Sequence, residues 1–351
     1  MSQHHLKIIS INGQASLQDL GRLNAQHLGF SASGAADEFA FLSANKILAE
    51  QKASHAMPKI QCHLQSNCAA IEITLGQISF EAKAACTVAI TGADCQAKIN
   101  QVAIKHWQHF HLQAGDILDL AMPKAGLHSY LAVFGGFTCQ QAQQPWLGSY
   151  AQTINEMTLG FTGEKLTVGS KLFFPPQADM FTELSEKPAD KLLAANTPTA
   201  LPAQFYSQRE LTIRMIPSSL FLEMDHKQQQ KFLNTEYSVL PDSNRMGYRL
   251  SATHLQKQTA TDPLLSRQLR SRCLLSMPVT YGMVQFPENE QPIILMKERQ
   301  TMGGYPVLGT IIHTDLFRLS QMRPGEKINF TLIPSKQAQQ QLTAFYQRFS
   351  L

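Results

Sequence analysis

The sequence predicts a mainly β fold with short helices, arranged as two barrel-like β-rich domains. Many short apolar or β-branched runs are closed by Gly, Asp or Pro, and only a few stretches have helical spacing. The chain has 351 residues, more than one hydrophobic core usually covers. Hydrophobic residues make up 44% and charged residues 16%, as in ordinary globular proteins.

The domain boundary is predicted in a proline-rich segment. From Pro175 to Pro202, prolines are interspersed with Ala, Lys, Asp and Glu, and no apolar period is sustained. We therefore expect an N-terminal domain over 1–175, a linker over 176–205 and a C-terminal domain over 206–351.

The first domain is predicted to contain one clear helix among several strands. The helix runs from about Asp37 to Ala49, because apolar residues recur at helical spacing from Ala40 to Leu48, with Ser33 or Asp37 as its cap. The predicted strands of this domain are 70–75, 86–91, 116–121 and 129–134.

The second domain shows the same balance of elements. Helices are expected around 225–233 and 315–321, and a closing helix after Ser335 should bury Leu342, Phe345, Tyr346 and Phe349. The predicted strands are 210–216, 278–286, 292–296, 307–313 and 327–333.

Charge and cysteine usage indicate a soluble cytoplasmic protein. The net charge of +4 comes from 30 basic and 26 acidic residues spread along the chain, and the arginines between Arg267 and Arg272 lack interleaved aromatic residues, so nucleic acid is not expected. No apolar run approaches the ~18 residues needed to cross a bilayer, and the first ten residues do not resemble a secretory leader. The six cysteines show no CxxC pair, as is usual for free thiols.

Several familiar motifs are approached but not met. Residues 160–165 have the wrong spacing for a phosphate loop, and a turn between strands is expected there. His109 and His111 would share one face of a strand, but no acidic or cysteine ligand is near in sequence, so no metal site is predicted. The chain has no GxSxG, and Met296-Lys297 lacks the frame of a biotinyl-lysine site.

The tract from Leu240 to Pro306 concentrates polar groups around glycines. Arg245 and Arg249 bracket a glycine, and their guanidinium groups can either converge on an anion or lie separately on the surface. Gln285 stands at a strand end, where an amide can donate to and accept from a ligand amide or ureido group.

The same tract ends in a glycine pair. Gly303 and Gly304 allow close approach of a ligand or a positive φ, and Pro306 biases Tyr305 toward an extended conformation. Each piece alone is compatible with a structural turn. Together they predict a ligand site, whose other polar members are Glu298, Gln300 and Thr301.

A parallel set lies near the N-terminus. Asp19 and Arg22 flank Gly21, and Ser33-Gly34 leads into the helix at Asp37. These residues form either a turn ion pair with a helix cap or a second part of the site, and the pattern leaves both interpretations open.

With these residues in view, the chain resembles the allophanate hydrolase subunit 2 family, also called the KipA or biotin-dependent carboxyltransferase-like family. The resemblance runs nearly end to end. The residues that carry it are Ser16–Arg22, Ser33-Gly34, Asp37, Ala44-Asn45, Glu72, Thr91–Ala93, Tyr130–Val133, Gly135-Gly136, Leu147–Ser149, Arg245–Gly247, Gln285, Pro287, Gln291–Ile293, Gln300, Thr301, Gly303–Pro306, Gln321 and Pro324-Gly325.

The resemblance implies two cyclophilin-like β-barrel domains and a protein that works only within a larger complex. Bacterial members include the C subunit of an ATP-dependent 5-oxoprolinase, which opens 5-oxoproline to glutamate. We therefore expect two partners, a KipI-like B subunit together with an A subunit, and ATP as co-substrate of the complex without necessarily binding this chain. No biotin attachment site is expected here.

The resemblance also implies roles for residues of this chain. Arg245, Glu298 and Tyr305 are the expected catalytic residues, and this sequence has Asn244 and Glu298 where the family usually has Asp. The expected substrate-binding residues are Asp19, Arg22, Asn244, Arg249, Gln285, Gln300, Thr301, Gly303 and Gly304.

Two other functions are compatible with the same family. One is a carboxyltransferase component of urea or allophanate metabolism, because a fused relative, urea carboxylase, carries the same module. The other is a non-catalytic antagonist that binds a KipI-like protein, as the KipA name suggests.

Overall fold

A computed structural model describes residues 4–53, 67–140, 144–177, 206–252, 275–349 and 351. The chain separates into two compact units. Unit 1 comprises residues 1–22, 33–206 and 349–351, and unit 2 comprises residues 23–32 and 207–348. The short segment Leu23–Ala32 thus belongs to the unit built mainly from the C-terminal half. The linker predicted over 176–205 lies almost entirely outside the described residues.

Unit 1 is built on a nine-stranded sheet in the order β5-β4-β7-β2-β8-β3-β6, with β1 on β2 and β9 on β1. Its interior is apolar, because β3 and β8 are buried along their whole length. The strands are β1 (His5–Gln18), β2 (Ala70–Ala82), β3 (Cys86–Gly92), β4 (Lys98–Ile99), β5 (Val102–Ala103), β6 (Gln108–Leu112), β7 (Ile117–Leu120), β8 (His128–Val133) and β9 (Lys171–Phe173).

The longest strand of unit 1, β1, was missed by the sequence patterns. Its middle residues are exposed or half-buried, so the strand has no apolar alternation to detect. It is held instead by antiparallel pairing with β2 from Leu6↔Ala82 to Gln18↔Ala70. The formation of β1 therefore depends on pairing with residues that are distant in the sequence.

The predicted helix of unit 1 is present as α1 (Glu38–Ala53). Asp37 caps it, since its Oδ1 accepts a hydrogen bond from the Ala40 N–H at 3.0 Å. A second short helix, α2 (Ile154–Thr158), has its N-cap at Thr153. The turn expected at 160–165 follows this helix, not a strand, and contains Gly160 at φ 80°.

Unit 2 is a closed barrel in the order β10-β17-β14-β15-β12-β11-β18. The barrel closes through a parallel pairing of β10 with β18, from Glu210↔Lys327 to Met215↔Leu332. The strands of unit 2 are β10 (Glu210–Pro217), β11 (Tyr237–Val239), β12 (Gly247–Ser251), β13 (Met277–Pro278), β14 (Met283–Gln285), β15 (Ile293–Leu295), β16 (Met302–Gly303), β17 (Val307–Ile311) and β18 (Lys327–Leu332), of which β13 and β16 form a separate ribbon.

Aromatic side chains fill the barrel of unit 2. The Phe232 ring lies 4.8 Å from Phe330 and 5.7 Å from Tyr237, centroid to centroid, and Phe286 packs at 6.2 Å. All four are under 5% exposed, so the cluster forms a dense apolar centre.

Helices cover the outside of unit 2: α3 (Ser219–Glu223), α4 (His226–Leu233), α5 (His313–Leu319) and α6 (Ser335–Gln347). In α6, Phe345 is buried as predicted, whereas Leu342 and Tyr346 are only partly buried. Phe349 is buried but lies beyond the helix, in unit 1.

The strand predicted over 278–286 is interrupted. Gly282 takes φ 86°, and a Cβ there would lie 2.8 Å from the Ile311 carbonyl oxygen. The chain therefore turns between β13 and β14. The mainly β fold class with short helices is confirmed, and within the described residues no helix is long and apolar enough to cross a membrane.

Candidate functional site

Arg245 and Glu298, 53 positions apart in the sequence, form an ion pair in unit 2. The Arg245 Nε lies 2.5 Å from the Glu298 Oε1, and their side chains are 17% and 10% exposed. The backbone supports the pair, because the Glu298 N–H donates to the Arg245 carbonyl at 2.7 Å. Shielding from water makes such a pair stronger than one on the surface.

The second arginine of this turn does not converge with the first. Arg249 is exposed, and its Nε pairs with the Asp242 carboxylate at 3.0 Å. Asn244 stabilises the turn itself, since its Oδ1 accepts from the Met246 N–H at 2.8 Å. Of the alternatives open from the sequence, the structure shows two arginines on separate carboxylates.

Gln285, at the end of β14, is 1% exposed, and its Nε2 has no hydrogen-bond partner among the described residues. A buried N–H without an acceptor is costly, and native proteins retain such groups mainly where a ligand or water completes them. Gly303 makes room for this amide, because a Cβ there would lie 2.5 Å from the Gln285 Nε2. Neither Gly303 nor Gly304 has positive φ, so close approach is the feature of Gly303 that the structure uses.

Arg299 is a polar member of the cluster that the sequence patterns did not single out. It is 7% exposed, and its Nε is buried without a partner among the described residues. Its Nη1 donates to the Met296 carbonyl at 3.4 Å and its Nη2 to the Gln26 Oε1 at 3.3 Å. Burial lowers the pKa of the guanidinium, and the Tyr281 phenol opposes this in part.

Gln26 was also missed, because it lies 273 positions from Arg299 and in no recognisable motif. Its Nε2 donates to the Val279 carbonyl at 2.7 Å and to the Thr301 carbonyl at 3.2 Å. Thr301 thereby contributes backbone to the cluster.

The remaining predicted residues of unit 2 are peripheral in this structure. Gln300 is exposed and Tyr305 is 49% exposed, with no hydrogen bond to another described residue. Lys297, by contrast, is 6% exposed, and its Nζ lies 4.7 Å from the centre of the Tyr281 ring. Lys297 and Arg299 flank Glu298 in the sequence, so this segment of unit 2 carries more positive than negative charge.

In unit 1, Asp19 is buried and both of its carboxylate oxygens are occupied. Oδ1 accepts from the Gly21 N–H and the Ser149 hydroxyl, both at 2.7 Å, and Oδ2 accepts from the Tyr150 N–H at 2.8 Å. Arg22 donates to the Ala151 carbonyl, and its guanidinium lies 4.9 Å from the centre of the Trp146 ring. Asp19 and Arg22 therefore do not form the turn ion pair considered from the sequence.

Unit 1 also contains a buried network around Tyr130. The Tyr130 hydroxyl donates to the Glu72 Oε2 at 2.7 Å and accepts from the Asp37 N–H at 2.8 Å, while the Tyr206 hydroxyl donates to the Asp37 Oδ2 at 3.0 Å. Burial and the adjacent carboxylates raise the pKa of Tyr130, so the phenol keeps its proton. The network ties the start of α1 to the sheet.

The histidines and cysteines of unit 1 bear on metal-ligand grouping, disulfides and pKa shifts. His109 and His111 lie on β6 with ring centroids 5.8 Å apart, and burial lowers the pKa of His111 to about 4, helped by His109. The described residues include no group of three or more metal-ligating side chains. Cys68, Cys86, Cys95 and Cys139 form no disulfide among the described residues, and burial raises their thiol pKa values to about 11 or 12.

The arrangement in unit 2 is suited to binding a small ligand that brings oxygen acceptors. Two buried donors, the Gln285 Nε2 and the Arg299 Nε, have no acceptor among the described residues. Glu298, which pairs with Arg245, immediately precedes Arg299 in the sequence. Donors of this kind stabilise negative charge that develops on an amide, ureido or carboxylate oxygen.

Comparisons with known proteins identify the family to which the chain belongs. A family model described as "Carboxyltransferase domain, subdomain A and B" matches residues 28–332. The chain is 32% identical to the C subunit of 5-oxoprolinase from Escherichia coli, over 93% of this chain and 90% of that protein. It is 28% identical to the C subunit of 5-oxoprolinase from Haemophilus influenzae, over 95% of this chain and 93% of the relative.

A solved structure shows the same fold. The Kluyveromyces lactis urea amidolyase superposes with a TM-score of 0.76 at 20% identity, over 99% of this chain and 20% of that larger protein. The family model covers most of the chain, and the E. coli relative is matched over nearly its whole length. The chain therefore belongs to the family of carboxyltransferase domains, subdomains A and B.

Proposed function

We propose that this chain is the C subunit of an ATP-dependent 5-oxoprolinase, which opens 5-oxoproline to glutamate together with a KipI-like B subunit plus an A subunit. The observation that carries the proposal is the match to the E. coli protein over 93% of this chain and 90% of that protein. A similarity that spans both proteins favours the same role for both, whereas the match to the urea amidolyase covers only 20% of that larger protein.

The chemistry of the candidate site supports this proposal. Opening a lactam breaks its C–N bond, water supplies the oxygen of the new carboxylate, and the nitrogen leaves as an amine. Negative charge develops on the lactam oxygen as the carbonyl is attacked. The buried Gln285 Nε2 and Arg299 Nε, which have no acceptor among the described residues, are candidate donors for that oxygen.

Within this proposal, Arg245, Glu298 and Tyr305 remain the catalytic candidates. Glu298 has the longer arm compared with the usual Asp of the family, and its Oε1 is held 2.5 Å from the Arg245 Nε. The longer Glu298 side chain therefore still forms the ion pair with Arg245. ATP is a co-substrate of the complex and is not assigned to any residue of this chain.

The direct test is reconstitution. The purified chain is mixed with its two partner subunits, ATP and 5-oxoproline, and glutamate is measured. Glutamate release that requires all three proteins is expected. A well-folded, assembled complex that releases none would rule the proposal out.

A second candidate is carboxyl transfer in urea or allophanate metabolism, favoured by the family description and by the urea amidolyase fold match. It predicts turnover that depends on urea and on a biotinylated carrier, in place of glutamate release. A third, non-catalytic role in binding a KipI-like protein predicts that Arg245→Ala and Tyr305→Phe leave both partner pull-down and turnover unchanged.

A further inference from the structure

Arg299 is a buried cation that lacks a counter-ion among the described residues. It is 7% exposed, and no carboxylate among the described residues pairs with its guanidinium. Arg214, also in unit 2, shows the usual arrangement of a paired arginine, because its Nη2 and Nε donate to the two Asp315 carboxylate oxygens at 2.5 and 2.9 Å. A buried charge that lacks a partner is strongly disfavoured by desolvation, so an anion from outside the chain is expected to complete it.

Gln26 fixes the orientation of this guanidinium. Its Nε2 faces two backbone carbonyls, those of Val279 at 2.7 Å and Thr301 at 3.2 Å, so this end of the amide must be the donor. The Oε1 is thereby turned toward the Arg299 Nη2, at 3.3 Å. A reversed amide would place oxygen against two carbonyls and NH2 against a cation.

Of the three guanidinium nitrogens of Arg299, only Nε has no acceptor among the described residues. Nη2 is directed at Gln26 and Nη1 at the Met296 carbonyl, while the buried Nε has no acceptor among the described residues. Arginine binds carboxylates through paired N–H groups, and neutral carbonyls can stabilise but not neutralise its charge. The missing acceptor is therefore best supplied by an anionic oxygen.

We propose that Arg299, oriented by Gln26 as a positioning residue, binds the carboxylate group of a small ligand. The choice of ligand rests on the proposed function: in 5-oxoproline, Arg299 holds the ring carboxylate, and the lactam oxygen is left for Gln285. Gln26 does not touch the ligand and acts only through Arg299.

The test compares 5-oxoproline with 2-pyrrolidinone, the same lactam without the carboxylate. Binding of each to the assembled complex is measured by calorimetry, and kcat/KM is measured where turnover occurs. The wild-type complex should prefer 5-oxoproline, and Arg299→Met should lower that preference by about 10- to 100-fold, mostly through KM. Gln26→Met should also lower the preference for 5-oxoproline, again mostly through KM. The double variant should show no larger loss of this preference than Arg299→Met alone.

A readout of stability separates this role from a structural one. Removing an uncompensated buried charge should leave the melting temperature of Arg299→Met unchanged or raise it, whereas loss of a structural arginine would lower it. Arg209→Met and His27→Gln are matched controls, because both residues are exposed and lie in unit 2. Neither should change the preference.

The outcomes are distinguishable. No glutamate release by the wild-type complex, with carboxylate-dependent binding intact, overturns the proposed function and supports the carboxylate site. Equal affinity for both probes, binding of neither, or additive effects of Gln26→Met and Arg299→Met overturns the inference.

Discussion

The Asp19 carboxylate in unit 1 and the Gln285 and Arg299 side chains in unit 2 differ in how completely their hydrogen bonds are made. The Asp19 carboxylate accepts three hydrogen bonds from its own chain. In unit 2, the Gln285 Nε2 and the Arg299 Nε are also buried but have no acceptor among the described residues. Completed buried networks stabilise a fold, whereas buried donors that the chain leaves incomplete indicate a ligand.

The largest effect on stability is expected from removing the Asp19 carboxylate. Asp19→Ala leaves three buried donors without an acceptor, and we expect the free energy of unfolding to fall by about 3–5 kcal/mol. Denaturant unfolding measures it. Asp242→Ala is the matched control, since its exposed pairing with Arg249 should be worth less than about 1 kcal/mol. Equal, small losses for both variants would contradict a structural role for Asp19.

The next effect concerns the room that Gly303 leaves for Gln285. Gly303→Ala places a methyl group 2.5 Å from the present position of the Gln285 Nε2, so the amide must shift. We expect a loss of about 1–3 kcal/mol in unfolding free energy, together with reduced turnover of the complex. Adding Gln285→Ala should restore most of the stability but none of the turnover. Failure of that rescue would show that the strain lies elsewhere.

A smaller effect is expected at the Arg245–Glu298 pair. A double-mutant cycle with Arg245→Met and Glu298→Gln should give a coupling of about 0.5–1.5 kcal/mol in unfolding free energy, because both side chains are largely shielded. The same cycle on Arg249 and Asp242 should give less, because that pair is exposed. Similar couplings would remove the distinction between the two arginines of this turn.

A further effect, confined to acidic pH, is the pH dependence of the stability of unit 1. Burial, with His109 nearby, lowers the folded-state pKa of His111 to about 4, below the ordinary value of 6.5. Between these values the unfolded chain binds more protons, so stability falls as pH decreases from about 6.5 toward 4. Thermal unfolding of His111→Gln should show a shallower decline over this window.

The sequence was sufficient for the fold class and for the predicted helices, because periodicity and caps such as Asp37 are local signals. It failed at β1, whose polar, half-exposed residues pair with β2 through contacts distant in sequence. It also failed to predict the break at Gly282, where close approach of the Ile311 carbonyl demands a glycine. Such contacts leave no period in a single sequence.

The same limit applies to the candidate site. The tract around Gln285 and Gly303 was recognisable because glycines and polar residues are concentrated there. The role of Gln26 was not, since it depends on the segment Leu23–Ala32 belonging to unit 2. Glu290 takes φ 58°, a left-handed conformation that non-glycine residues seldom adopt and that no local pattern indicated.

One variant tests the central claim most directly, namely that the buried Gln285 Nε2 of unit 2 donates its hydrogen bond to a ligand. Gln285→Met removes the buried Nε2 while keeping side-chain volume, and it is measured both by denaturant unfolding and by glutamate release from the reconstituted complex. Unfolding free energy that is unchanged or higher, with turnover lowered at least about tenfold, is the predicted result. A loss of stability with turnover intact would contradict it, because Gln285 would then be a structural residue.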